Sequence, residues 1–365
     1  MNYLLVEPKV KSIAPNIALM KWATWCRNNG HRFEYAFGTE KGEFVPDHIL
    51  MSCVFTYYSK IYEETIDTYS NRFPGVPIRV GGVFPSLYPE WFEKEKWSGE
   101  PFYGGTVVSV HKGIVPEIES LTPTYLTDKV TLYASRGCTN KCSYCVVPKL
   151  EGDMRSFKSI KHMLPSNKQS FRSVVLYDNN FTEHKYFDTI VDELKAYGLP
   201  VDIHGLHVDS FDDHKAYKLS QLKWGGQGKN PTPYLRFSFD KLSYITKLEC
   251  ALELMIKYKI KAEMFAYMLF NYNDTPDDFW HRIELAQSLV DQYGKTIYLF
   301  PQRYEPITAL ERNKFIGKYW TEDMVRNLVQ MYSKTRGFIA ITKSCNIYNL
   351  IGHSKKQFLS KIKGV

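Results

Sequence analysis

Three cysteines at the spacing C-x3-C-x2-C, Cys138, Cys142 and Cys145, constrain this chain more than any other stretch. They lie in Arg136-Gly137-Cys138-Thr139-Asn140-Lys141-Cys142-Ser143-Tyr144-Cys145, just after the apolar run Val130 to Ala134, which reads as a strand. Thiolates converging from one short loop make a soft-metal site, and iron–sulfur clusters are held this way. A four-iron cluster on three local thiolates leaves one iron for a fourth protein ligand or a small molecule. A structural zinc site wants four ligands, usually in C-x2–4-C pairs. Cys26, Cys53, Cys250, Cys345 or a histidine would have to complete it. Three buried free thiols, packing as small hydrophobes, are the plainest alternative. The spacing, the aromatic Tyr144 and the preceding strand together favour the cluster.

At 365 residues the chain suggests two domains and a tail, with 44% hydrophobic content ample for packed cores. The 26 tyrosines point to thick cores and a stacking surface. A net charge of +8 suits an acidic partner, whether nucleic acid, an anionic substrate or an electron donor, and equally suits ordinary solvated lysines. Seven cysteines, three of them clustered, do not make a secreted disulfide framework. Met1 to Pro8 carries no basic leader, and no apolar run is long enough to span a membrane. The cytoplasm is the expected compartment, with no membrane partner.

Residues 1–122 read as an α/β domain. Strands are expected at Tyr3–Val6, Arg32–Phe37, His48–Phe55, Pro77–Val80 and Thr106–Val108, with helices from Pro15-Asn16 and over Ile61–Arg72. Strands alternating with helices imply a parallel sheet covered on both faces. A linker rich in proline follows, then six strand–helix units over 123–305. Their later strands are Ser173–Tyr177, Val201–His204, Tyr234–Phe239, Ala262–Phe270 and Thr296–Phe300. Thr182 is expected to cap the helix after the second of the six strands, and Thr275-Pro276-Asp277-Asp278 is a strong helix start. The segment Trp224 to Pro233 is an irregular loop. Residues 306–365 read as a helical tail, with a basic helix over His353–Lys363.

The cysteine loop, with Tyr144 before the third cysteine and a strand ahead of the first, resembles the radical S-adenosylmethionine (SAM) enzymes. The first half, with Gly30-His31 after its first helix and Val80-Gly81-Gly82-Val83-Phe84-Pro85 after its fourth strand, resembles the cobalamin-binding-type domain that precedes many such cores. The resemblance implies a Rossmann-like domain, a partial (β/α)6 barrel and a site at the C-terminal ends of the barrel strands. It implies a [4Fe–4S] cluster on Cys138, Cys142 and Cys145, with SAM chelating the open iron and cleaved to a 5′-deoxyadenosyl radical. The family's cobalt-binding D-x-H-x-x-G is missing, so cobalamin is the less favoured of two expectations. A one-electron donor such as flavodoxin or ferredoxin is implied, with a substrate that is a small molecule or nucleic acid.

By the same resemblance, Arg236 and Ser238 on the fourth barrel strand would meet SAM, and Tyr144 its adenine. Asp178-Asn179-Asn180 stands where the family often has Gly-Gly-Glu, so Asp178 and Asn180 would supply acceptors for the SAM amino group. His204, His207 and Asp209 would face ribose or substrate, with Gln302 and Arg303 as further candidates. A transfer-RNA methylthiotransferase is the second reading within enzymes. Cys26 and Cys53 cannot supply the three extra cysteines those proteins use, and the tail reads helical. Outside enzymes, the alternative is a non-catalytic iron–sulfur or zinc protein that binds nucleic acid. It would bind metal without cleaving SAM.

Overall fold

Runs of apolar residues buried on both faces are the mark of parallel strands between helices. The structure, a computed structural model, describes residues 1–10, 16–40, 44–97, 108–226, 232–335, 337–342 and 347–364. In its first part, β1 (Asn2–Glu7), α1 (Ile17–Asn28), β2 (Arg32–Phe37), β3 (His48–Ser52), α2 (Ser59–Arg72), β4 (Ile78–Gly81), α3 (Val83–Leu87), β5 (Val108–Val110) and α4 (Pro116–Glu119) follow one another. The five strands form one parallel sheet in the order β2-β1-β3-β4-β5. That is a common doubly wound order, whose ligands sit beyond the C-terminal strand ends where the order reverses. Asn16 caps α1 by accepting from the Leu19 N–H at 3.2 Å. The third strand is shorter than expected, because a 3-10 turn over Thr56–Tyr58 takes the chain away from the sheet. Thr106 and Val107 of the expected fifth strand, like Pro15, lie outside the described residues.

The second part carries β6 (Lys129–Leu132), β7 (Ser135–Arg136), α5 (Val147–Leu150), β8 (Arg155–Ser156), β9 (Ser173–Leu176), α6 (Phe187–Tyr197), β10 (Val201–Ile203), α7 (Asp213–Ser220), β11 (Tyr234–Ser238), α8 (Ile245–Lys257), β12 (Glu263–Phe270), α9 (Pro276–Tyr293) and β13 (Ile297–Arg303). After these come α10 (Glu322–Ser333), β14 (Ile339–Ile341), α11 (Ile347–Ile351) and α12 (Lys355–Lys363). Six parallel strands form two sheets, β10-β9-β6 and β11-β12-β13-β14, with β14 antiparallel to β13. Among the described residues no hydrogen-bonded ladder joins β10 to β11. Along β11, Leu235 and Phe237 are fully buried in the apolar core shared with the helices, while Arg236 and Ser238 alternate to the other face.

Two local expectations change. Thr182 does not cap α6, which begins after Tyr186. Its hydroxyl instead bonds the Asn180 side chain, the His207 N–H and Ser210, tying two strand exits together. The tail is not wholly helical, since β14 extends the second sheet. The start of α9 is as expected: Thr275 and Asp278 form a reciprocal capping box around Pro276. The basic α12 spends its apolar face inward, with Phe358 fully buried against Phe279 and Trp280. Lys361 donates to the carbonyls of Asn349 and Leu350, and Lys355 lies 3.4 Å from Asp277. No helix among the described residues is long and apolar enough to cross a membrane.

Candidate functional site: the cysteine loop and the cavity beside it

The cysteine loop leaves β6 through the small hairpin of β7 and β8. Gly137 opens it at φ +78°, a conformation natural to glycine, and a Cβ there would collide with the Asp153 carbonyl. Glu151 is the loop's anchor. Its carboxylate accepts from Arg136 at 2.7 Å, the Gly137 N–H at 2.8 Å and the Asn179 amide at 2.8 Å. Asn180 donates to the Thr139 hydroxyl at 3.1 Å, and Asn179 also reaches the Gly137 carbonyl. Sequence reasoning missed Glu151, whose only signal is its place at the loop's exit.

Cys138 is buried, while Cys142 and Cys145 are half-buried. Burial first, then the neighbouring sulfurs of Cys142 and Cys138, push the Cys145 thiol up. Among the described residues no three His, Cys, Asp or Glu side chains converge as ligands of a single ion. Cys345 lies outside the described residues. The donor set, three free thiols on one braced loop, fits a cluster whose irons each take one thiolate.

A cavity of about 590 Å³ opens beside this loop. It lies between Cys142, Ser143 and Tyr144 and the chain leaving β11 and β12, from Asp240 to Ser243 and from Leu269 to Asp274. The volume is within the roughly 300–1,000 Å³ of pockets that enclose a drug-sized ligand. The Tyr144 hydroxyl donates to Asp240 Oδ2 at 3.1 Å, and Asp240 Oδ1 accepts from the Leu269 N–H at 2.8 Å. Ser143 bonds the Tyr272 hydroxyl at 2.9 Å. Burial raises the Asp240 carboxyl above the usual range, though these hydrogen bonds oppose it.

The other expected ligands have protein partners. Asp178 is buried and accepts from the Ala134 N–H at 3.0 Å and from the Ser135 hydroxyl. Arg236 is buried and pairs with Asp202 of β10, not with an open space. His204, at the exit of β10, is partly exposed and packs on Tyr177 with ring centroids 4.7 Å apart. His207 meets the Tyr244 ring edge-on at 5.6 Å. Arg303 turns away to Asn313, Phe315 and Glu305.

A second cavity, of about 200 Å³, lies between the exits of β3, β4 and β5 and the cysteine loop's flank. Ser52, Gly82, His111, Lys21, Tyr133 and Arg136 are among its walls. It is smaller than the roughly 300–1,000 Å³ of sites for drug-sized ligands, and a corrin is larger still. Gly82 is explained without a ligand, since a Cβ there would lie 2.6 Å from the Cys53 carbonyl. These residues do not fit cobalamin as they stand.

Comparison with known proteins agrees with the fold. No family model matches the chain. The chain is 28% identical over 156 residues to the ribosomal protein uS12 methylthiotransferase RimO of Citrifermentans bemidjiense, covering 42% of this chain and 31% of that protein. RimO of Geotalea uraniireducens is 36% identical over 86 residues, 23% of this chain and 18% of the relative. The chain thus spans under a third of the length of these curated relatives. Among solved structures, the radical SAM methyltransferase TsrM of Kitasatospora setae superposes with a TM-score of 0.62 at 14% identity, over 84% of this chain and 75% of that one. The cobalamin-dependent SAM radical enzyme OxsB, with aqua-cobalamin bound, gives 0.55 at 13% identity, over 78% and 52%. The chain has a mixed α/β fold, with parallel sheets, similar to those of TsrM and OxsB. The resemblance read from the cysteine loop holds at the level of the fold.

Proposed function

We propose that this chain is a radical SAM enzyme that functionalises an unreactive C–H bond. In this reading residues 1–122 form a Rossmann-like domain of cobalamin-binding type, 123–305 the partial (β/α)6 barrel and 306–365 an extension. One observation carries it: the three-cysteine loop, at the exit of the first barrel strand, forms one wall of the 590 Å³ cavity. Cys138, Cys142 and Cys145 would hold a [4Fe–4S] cluster. When bound, it would supply the electron that cleaves SAM to methionine and a 5′-deoxyadenosyl radical. Glu151, Asn179 and Asn180 fix the loop, and Gly137 lets it turn. Tyr144, Asp240 and Tyr272 shape the cavity for the adenosine half of SAM. His204 and Ser238 face the barrel interior, where substrate would lie. Asp178 and Arg236 serve as braces.

A one-electron donor of flavodoxin or ferredoxin type is part of this reading, and the substrate is open between a small molecule and nucleic acid. Methylation has the support of the likeness to TsrM, a methyltransferase by name. No step is assigned to cobalamin.

The test is anaerobic reconstitution with iron and sulfide, then chemical reduction with SAM. About four irons per chain and release of 5′-deoxyadenosine are expected, with Cys142→Ala inactive. Zinc without iron, or equal yield from the variant, refutes the reading. A second reading, methylthio transfer, rests on the stretch shared with RimO. Against it, Cys26 and Cys53 are fully buried, on α1 and just after β3. About eight irons per chain in place of four would favour it.

A further inference from the structure

Arg282 is on α9, outside every motif singled out in the sequence, and it is 1% exposed. Its guanidinium reaches both walls of the large cavity. Nη1 donates to the carbonyls of Phe239 and Asp240 at 3.3 Å and of Leu269 at 2.8 Å. Nη2 donates to Asp274 Oδ2 at 3.0 Å, and Nε to the Asp278 carbonyl at 3.3 Å. One planar fork thus joins the exit of β11 to the exit of β12. Asp274 Oδ1 turns back to accept from the Tyr272 N–H at 3.0 Å. Asp240, held through its own backbone, carries the Tyr144 hydroxyl of the cysteine loop.

A buried guanidinium is costly to desolvate, and a neutral side chain would pack there more cheaply. The carbonyls it binds lie just past the end of the β11–β12 pairing, which stops at Ser238 and Tyr267, and would otherwise need water or a ligand. Asp240 and Asp274 are both pushed above the usual carboxylate range by burial, and Arg282 lies against each of them. Its position therefore serves the two loops more directly than it serves the core.

We propose that Arg282 is a positioning residue for SAM: it holds the 239–243 and 269–274 segments in the shape that receives adenosine before the ligand arrives. The inference rests on the reading given above. Arg282 itself does not contact the ligand in this scheme, and acts through Asp240, Asp274 and the backbone between them. A preformed site avoids the entropy of ordering two loops at each binding event.

The experiment measures SAM cleavage by the reconstituted protein with Arg282→Lys and with Arg282→Gln/Asp274→Asn, which removes both buried charges together. The expected result is a KM for SAM raised about tenfold or more, with kcat within about threefold and iron content unchanged; lysine restores only part of the loss. An unchanged KM in folded, iron-loaded variant overturns the proposal. A residue that merely stabilises the fold would lower the melting temperature and leave KM alone. Should both variants fail to fold, hydrogen exchange on the wild-type holoprotein decides. The amides of Leu269, Tyr272 and Thr275 should be protected before SAM is added; exchange at free-loop rates until SAM arrives overturns the idea. Wild-type protein that binds iron but releases no 5′-deoxyadenosine removes the underlying reading instead.

Discussion

Arg236 of β11 and Asp202 of β10 form an ion pair across the one junction between neighbouring barrel strands that carries no hydrogen-bonded ladder among the described residues. Both side chains are nearly inaccessible, at 8% and 2%. The second Asp202 oxygen, Oδ2, faces His204 Nε2 at 3.7 Å, too far for a hydrogen bond. Burial works to raise the Asp202 carboxyl, but His204 and Arg236 outweigh it and hold it below the usual range. The side chain that the family resemblance assigns to SAM is paired here with Asp202.

Arg236→Met should therefore destabilise the fold by about 3–5 kcal/mol, because it strands a buried carboxylate. Adding Asp202→Leu should recover much of that loss, since apolar replacement of a whole buried pair is often neutral. Urea unfolding of the two variants measures both. The depressed Asp202 carboxyl contributes stability above its unfolded value near 4, and that contribution disappears as pH falls through its lower folded value. The wild-type acid limb should be steeper than that of the double variant.

Asp178 has the opposite sign. Burial pushes its carboxyl up to about 6, against the hydrogen bonds from Ser135 and Ala134. The folded state then holds a proton that the unfolded chain has released, so stability falls as pH rises between about 4 and 6. Asp178→Asn should flatten that window, and unfolding free energies at pH 4.5 and pH 7, about, decide it. A wild-type curve that rises over the same range contradicts the assignment.

The strand positions and the cysteine loop were legible because each rests on a local pattern. Apolar runs of three or four residues marked β1, β3 and β9, and Thr275-Pro276-Asp277-Asp278 announced α9 with its cap. What escaped depends on contacts distant in the chain. Arg236 meets a partner 34 positions away, and Arg282 reaches carbonyls 42 and 43 positions before it. Thr182 carries a cap-like sequence but is drawn to His207 and Ser210, so local preference loses to a tertiary contact. The strand β14 is three residues long and, among the described residues, pairs with β13 alone, too short for alternation to show.

Glu151 gives a prediction that sequence alone would not. Glu151→Gln keeps the shape but weakens three hydrogen bonds that a charge had strengthened, to Arg136, Gly137 and Asn179. The loop should hold its metal less tightly. After anaerobic reconstitution and gel filtration, the variant is expected to retain clearly fewer irons than the wild type, with 5′-deoxyadenosine yield falling in proportion. Glu151→Ala should be worse, since it also strands the Arg136 guanidinium, 18% exposed and stacked 4.1 Å over Tyr133. Full iron retention in both would show that the thiolates alone fix the loop.

The last prediction concerns the smaller cavity. Three observations there argue against a corrin. The space is about 200 Å³, the glycine at its edge is required by the Cys53 carbonyl, and Lys21 closes one wall by bonding the Glu119 carbonyl. Burial, with Arg136 nearby, lowers the Lys21 ammonium to about 8, so the group is already costly to keep charged where it lies. Binding a cofactor of that size would require the walls from the two halves of the chain to part. Protein incubated with excess hydroxocobalamin and desalted should therefore carry no corrin absorption in the visible spectrum. Lys21→Ala, which removes one wall without touching the cysteine loop, should not change that result, because the volume it frees is that of one side chain. Stoichiometric cobalamin on the wild-type protein would show that the two halves separate in solution and that the cavity is the closed form of a cofactor site.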